Sequence, residues 1–245
     1  MHPNIASKII SLMDLTSLNQ DDSDDKITAF CRQAVTPYNA VAAVCIYPEF
    51  VPTAVANLSE TAVKVATVAN FPYGNQSIQE VLASVKQSLE NGADEIDVVI
   101  PFQSYANGER AGTIELVQAC KNLCEEATLK VILETGALQK PELIAKASRD
   151  CLENGADFLK TSTGKIQVGA TLEAAEIMLR EIALYYQNTG RLAGFKASGG
   201  VKTVEQAISY MDLANKIMGE AYLVPQYFRF GASSLLQNVL DSLED

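Results

Sequence analysis

The chain has 245 residues, 48% of them hydrophobic, and a net charge of −11. That is enough apolar material for one sizeable core, while so acidic a balance excludes a general nucleic-acid surface, which needs basic patches. An anionic ligand would have to be held by a local group of basic residues, against the field of the whole molecule.

The only histidine is His2, at the terminus. Ser-His-Asp and Cys-His catalysis and histidine-based zinc sites are therefore excluded. Proton transfer, if this is an enzyme, falls to Lys, Asp, Glu, Tyr or Cys. The first twenty residues include Lys8 and Asp14 and no sustained apolar run, so no signal peptide is expected. No run is long enough to span a bilayer. The five cysteines, Cys31, Cys45, Cys120, Cys124 and Cys151, show no paired zinc spacing. We expect no metal, no cofactor and a reducing, cytoplasmic compartment.

In chain order, "SLMDL" (Ser11–Leu15) is a candidate first strand. It precedes a helix that "DDSDD" (Asp21–Asp25) would cap. Short apolar runs closed by Pro or Gly follow: Val41–Pro48, Lys64–Pro72, Glu95–Pro101, Leu129–Gly136, Phe158–Gly164, Ala193–Gly200 and Tyr227–Ser234. Near-continuous apolar strands imply burial on both faces and hence a parallel sheet. Helical patterns lie between them, at Ile78–Asn91, Ile114–Ala127, Pro141–Asn154, Leu172–Tyr186 and Val204–Lys216, and a further helix opens at Leu235. Eight βα units without a linker predict an α/β fold, a (β/α)8 TIM barrel forming one domain over residues 1–245. A doubly wound open sheet is the alternative, but no GxGxxG follows the first strand.

The hexapeptide "LENGAD" occurs at Leu89–Asp94 and again at Leu152–Asp157. In each copy a helix ends, Gly supplies a left-handed turn, and a strand begins. Aligning the copies sets Lys160 opposite Asp97, two strands apart. Alternate strands of a barrel share an interior layer, so both side chains should point inward at similar height. Lys196, in "GFKASGG", adds a second lysine on the next strand. An ionisable group in such a place needs a partner or a function. Burial and a second ammonium both disfavour protonation, which makes a nucleophilic amine. The bland alternative is a buried ion-pair network. Glycine-rich loops follow three strands: "STGK" (Ser162–Lys165), "SGG" (Ser198–Gly200) and "GASS" (Gly231–Ser234), the last opening a helix. Beside lysines, three such loops suggest a phosphate site.

The segments "LMDLTSLN", "VCIYP", "VANFPYGN", "GADEIDVVIP", "ETGAL", "GADFLKTSTGK", "GFKASGG" and "RFGASS" together resemble the deoxyribose-phosphate aldolase family over nearly the whole chain. The resemblance implies a metal-free, class I lyase of deoxyribonucleotide catabolism. It would cleave 2-deoxy-D-ribose 5-phosphate reversibly to acetaldehyde and D-glyceraldehyde 3-phosphate. Its partners would be phosphorylated sugars and aldehydes, with the oligomer left open, a homodimer included. By the motif match Lys160 would form the Schiff base, Lys196 would perturb its pKa and assist proton transfer, and Asp97 would be the general acid/base. Asp14, Thr16 and Thr163 would line the substrate site. Gly164, Lys165, Gly199, Gly200, Ser233 and Ser234 would hold the phosphate.

Two features depart from the family pattern. Some members have a C-terminal tail ending in tyrosine where this sequence ends "VLDSLED", and Lys202 stands where some have Arg. Lys keeps the charge but loses the bidentate fork. Rival readings are another Schiff-base aldolase, a transaldolase, or a non-catalytic barrel that binds sugar phosphates.

Overall fold

The structure, a computed structural model, describes residues 2–244. Eight short parallel strands pair in chain order: β1 (Met13–Thr16), β2 (Ala43–Ile46), β3 (Lys64–Ala69), β4 (Glu95–Val99), β5 (Thr128–Ile132), β6 (Phe158–Lys160), β7 (Gly194–Ser198) and β8 (Phe228–Ala232). β8 returns to pair with β1 and closes the barrel, which rules out the open sheet. The principal helices after the successive strands are Asp24–Cys31, Val51–Leu58, Ile78–Glu90, Ala111–Cys124, Pro141–Glu153, Leu172–Thr189, Val204–Met218 and Leu235–Glu244.

The helices start where local chemistry tells them to. Ser23 caps Asp24–Cys31 by accepting the Lys26 N–H, and Asp24 and Asp25 occupy the first turn. Ser77 and Glu80 form a capping box at Ile78–Glu90, as Thr203 and Gln206 do at Val204–Met218. Three further α-helices, Pro3–Ser11 before β1, Phe102–Ala106 after β4 and Thr135–Leu138 after β5, lie outside the helical patterns read from the sequence. The strands are shorter than expected. β6 covers only Phe158–Lys160, because the chain beyond it leaves the ladder to form the mouth of the barrel.

The LENGAD repeat has a shared structural meaning. Gly92 (φ +96) and Gly155 (φ +108) make the left-handed turn. In the first copy the Asp94 amide donates to Val65 O, and its carboxylate accepts the Val65 N–H at 2.9 Å. In the second copy Asp157 does the same with Leu129, again at 2.9 Å. Each aspartate thus laces a new strand to the one before it, at the end where the strand enters the barrel.

The apolar core lies mainly between the strands and the helices. The barrel interior is divided. On one side Ala43, Cys45, Ala66 and Val68, with Leu18, form a separate small apolar cluster. On the other lie seven buried charged residues: Asp14, Glu95, Asp97, Lys130, Lys160, Lys196 and Arg229. Small side chains on the first wall leave room for long ones from the second.

Candidate active site

The charged wall is assembled by strand register. Lys160 of β6 lies beside Lys196 of β7, and Lys196 beside Arg229 of β8. In the other direction Lys160 pairs with Ile132, and Ile132 with Val99. Asp97 stands two residues before Val99 on the same face of β4. Strand tilt and stagger in a barrel compensate for that offset, and the side chains meet: Lys160 Nζ donates to Asp97 Oδ2 at 2.8 Å.

Asp97 is the hub. Its Oδ2 also accepts from Lys196 Nζ at 2.7 Å, and its Oδ1 accepts from Lys130 Nζ at 2.9 Å. Lys196 also reaches Asp14 Oδ2 at 2.5 Å. Lys130 also reaches Glu95 at 2.5 Å and Asp14 at 3.5 Å. Arg229 closes the lower end, bonding Asp14 at 2.5 Å and Glu95 at 2.9 Å.

Within this network three carboxylates face four basic groups. The lysines are not equivalent. Lys130 and Lys196 each contact more than one carboxylate, whereas Lys160 has Asp97 alone and shares the same oxygen with Lys196.

The protonation equilibria follow from this. For Lys160, burial is the largest influence and pushes the pKa down. Asp97 opposes it, the Lys196 ammonium adds to it, and the net shift is below the ordinary lysine value. For Lys196, burial also acts downward, but Asp14 and Asp97 outweigh it and hold the amine protonated beyond the usual range. Lys130 is raised for the same reason. Burial alone would raise Asp97, yet Lys130, Lys160 and Lys196 hold its carboxyl well below the normal carboxylate range. Asp14 is lowered likewise, against burial, by Lys196, Arg229 and Lys130. Of the three lysines, Lys160 is therefore the one that gives up its proton most readily.

Above the network opens a cavity of 210 Å3. Of the residues singled out from the sequence, Thr16, Thr163, Gly164, Lys165, Gly199, Gly200, Ser233 and Ser234 all line it, and so does Lys202. Asp14 does not line it: it lies fully buried within the charge network. Gly164 (φ +75) and Gly199 (φ +86) approach each other so closely that a Cβ on Gly199 would come within 3.2 Å of Gly164 Cα. Only glycines allow these loops to line the cavity with backbone. Ser233 and Ser234 immediately precede the helix Leu235–Glu244, whose N-terminal amides favour an anion. Lys165 Nζ is held by Leu18 O at 2.6 Å, which ties the loop after β6 to the loop after β1.

Cys45 Sγ lies 4.0 Å from Asp97 Oδ2, and burial pushes its thiol up, so it packs as a small core residue. Tyr105 is buried outside the network and donates to Asp150 at 2.6 Å, whereas Tyr73 is exposed. Among the described residues, five buried charged ones escaped the reading of the sequence: Glu95, Lys130, Arg229, Glu134 and Asp150. The first three carry the signal that marked Lys160, a charge inside an apolar strand. The repeat alignment singled out the pair Asp97 and Lys160, and Lys196 was added from the strand that follows.

The profile of the DeoC/LacD family aldolases matches residues 8–239. A structure of the apo form of a provisionally assigned deoxyribose-phosphate aldolase from Toxoplasma gondii ME49 superposes with a TM-score of 0.90 at 27% identity, covering 99% of this chain and 97% of that one. A provisionally assigned deoxyribose-phosphate aldolase from Coccidioides immitis gives 0.85 at 27% identity, covering 97% and 87%. The tetrameric deoxyribose phosphate aldolase from Aeropyrum pernix shares the fold, with a TM-score of 0.78 at 24% identity over 98% and 92% of the two chains.

Proposed function

The chain belongs to the DeoC/LacD family of aldolases, and from that premise we propose that it cleaves 2-deoxy-D-ribose 5-phosphate to D-glyceraldehyde 3-phosphate and acetaldehyde through a Schiff base on Lys160. One observation carries this reading: a buried lysine, the least compensated of three, ends β6, and the loop that follows it walls a small cavity together with the glycine-rich loops after β7 and β8.

The neutral Lys160 amine adds to C1 of the open-chain sugar. The carbinolamine loses water and becomes an iminium. This cation is an electron sink. A proton leaves the 3-hydroxyl, the C2–C3 bonding pair moves into an enamine, and C3 departs as the aldehyde carbon of glyceraldehyde 3-phosphate. Protonation at C2 and hydrolysis of the iminium release acetaldehyde and regenerate the amine. Asp97, within hydrogen-bond reach of Lys160, serves proton transfer in forming and losing the carbinolamine, through water where the path is longer. Lys196 stays charged, keeps Lys160 deprotonated and helps to pass protons.

The 5-phosphate sits against the backbone of Gly164, Gly199 and Gly200, the helix start at Ser233 and Ser234, and the ammonium of Lys202, with Lys165 bracing the loop. Thr16 and Thr163 face the sugar between phosphate and amine. Asp14 shapes the site through Lys196 rather than by lining the cavity.

The test is reductive trapping. Borohydride with 2-deoxyribose 5-phosphate or acetaldehyde should add mass to Lys160. An adduct on Lys196 alone, or none, overturns the assignment. Which aldehyde traps separates this reading from a transaldolase, and turnover separates it from a binding protein.

A further inference from the structure

Glu134 is fully buried at the mouth of the barrel, two residues past the end of β5, and no step above uses it. Its backbone is left-handed, with φ +54 and ψ +60. That conformation is unfavourable for a residue with a Cβ, and Gly or Asn would occupy it more easily. Strain of this kind persists where a side chain is needed in a particular place.

The side chain is spent on one neighbour. Thr163 Oγ1 donates to Glu134 Oε2 at 2.5 Å, and the Thr163 amide approaches both carboxylate oxygens at 3.4 Å. The same Thr163 oxygen accepts the Lys165 N–H at 3.1 Å. The hydroxyls on either side of this contact, Ser162 Oγ and Thr135 Oγ1, are buried without a protein partner. Thr163 is thus fixed by Glu134 while its neighbours are not, and the residue it fixes sits between Lys160 and the glycine of the cavity wall.

We propose that Glu134 is a positioning residue that sets the loop Thr163–Lys165 in its anion-facing shape through the Thr163 hydroxyl, and so determines how strongly the site holds a phosphorylated rather than an unphosphorylated aldehyde. The inference rests on the aldolase reading for its kinetic form. Removing the carboxylate frees Thr163, and with it the backbone that meets the phosphate. Glu134 makes no hydrogen bond to the amine or to Asp97 below, whose own contact stays in place; its carboxylate acts on Lys160 only through its field.

The test compares Glu134→Gly and Glu134→Gln. Gly suits the left-handed backbone and should fold; Gln keeps the shape and one acceptor. With 2-deoxyribose 5-phosphate, Glu134→Gly should raise KM about tenfold, the effect of losing one charge-assisted hydrogen bond. The fall in kcat should be smaller, and kcat/KM for 2-deoxyribose should change less than that for its phosphate. Glu134→Gln should give a smaller rise in KM, and that rise should vanish in a Thr163→Val background. An equal loss on both sugars, or a Glu134→Gln effect that survives intact in Thr163→Val, overturns the proposal. If the wild type cleaves neither sugar, the aldolase reading fails, and calorimetry with inorganic phosphate then decides: about tenfold weaker binding by Glu134→Gly supports the proposal, and unchanged binding overturns it.

Discussion

Lys160 differs from Lys130 and Lys196 in the number of carboxylates it contacts, and its proposed chemistry follows from that difference. Lys160→Arg keeps a charge of similar reach but cannot form the imine. It should abolish carbon–carbon cleavage and borohydride trapping while leaving the fold intact by circular dichroism. Because burial and Lys196 lower the Lys160 pKa, the amine is free at lower pH than an ordinary lysine. The log of kcat/KM should therefore fall as pH drops through that lowered value. Lys196→Gln removes an ammonium and releases Asp97 Oδ2 to Lys160 alone; both changes favour the charged amine. The acid limb of the pH profile should move to higher pH, and an unmoved limb would separate Lys196 from the tuning of Lys160.

At the scale of elements, the site depends on what neighbouring strands leave room for. Gly231 on β8 lies beside Ser198 of β7 in register. A Cβ there would stand 2.6 Å from Ser198 Oγ and 3.0 Å from Lys196 Cε. Gly231→Ala should displace Lys196 and lower kcat, with thermal stability reduced by about 1–3 kcal/mol, the usual range for overpacking. The helix caps provide a contrast. Ser77→Ala breaks the capping box of Ile78–Glu90, on the outside of the barrel. It should cost about 1 kcal/mol of stability and leave kcat and KM unchanged; a drop in activity would mean that this helix reaches the site.

At the scale of the molecule, the buried network ties stability to pH. The folded-state pKa values of Asp14 and Asp97 lie below their unfolded values. Their contribution is thus fully present above the ordinary carboxylate range and is lost as pH falls toward the folded values. Urea midpoints should decline steeply below about pH 4, and Asp14→Asn should flatten that decline. Lys160 works the other way: its lowered pKa means that the folded state resists protonating it. Lys160→Met should therefore raise thermal stability, by something on the order of 1 kcal/mol, while removing activity.

Much of this was legible in the order of residues. Apolar runs closed by Pro and Gly identified the strands, because a parallel sheet covered on both faces needs continuous apolar side chains. The LENGAD repeat matched Lys160 to Asp97, because both copies make the same turn and lace the same strand junction. What the chain alone could not decide was which charged strand residues meet. Lys130, Glu95 and Arg229 sit in strands as apolar as the one that holds Lys160; Lys130 meets Glu95 and Asp97 across neighbouring strands, and Arg229 of β8 meets Glu95 of β4 and Asp14 of β1, far away in sequence. Barrel closure, which sets β8 against β1, and the stagger that brings Asp97 level with Lys160 are properties of the whole sheet. Glu134 was hidden for a related reason: its left-handed backbone and its bond to Thr163 exist only once β5 and β6 are paired. Residue types and their periodicity determined the barrel and the kind of chemistry open to it. Tertiary structure decided which of three buried lysines is left with the fewest counter-charges, because electrostatic compensation depends on distance in space.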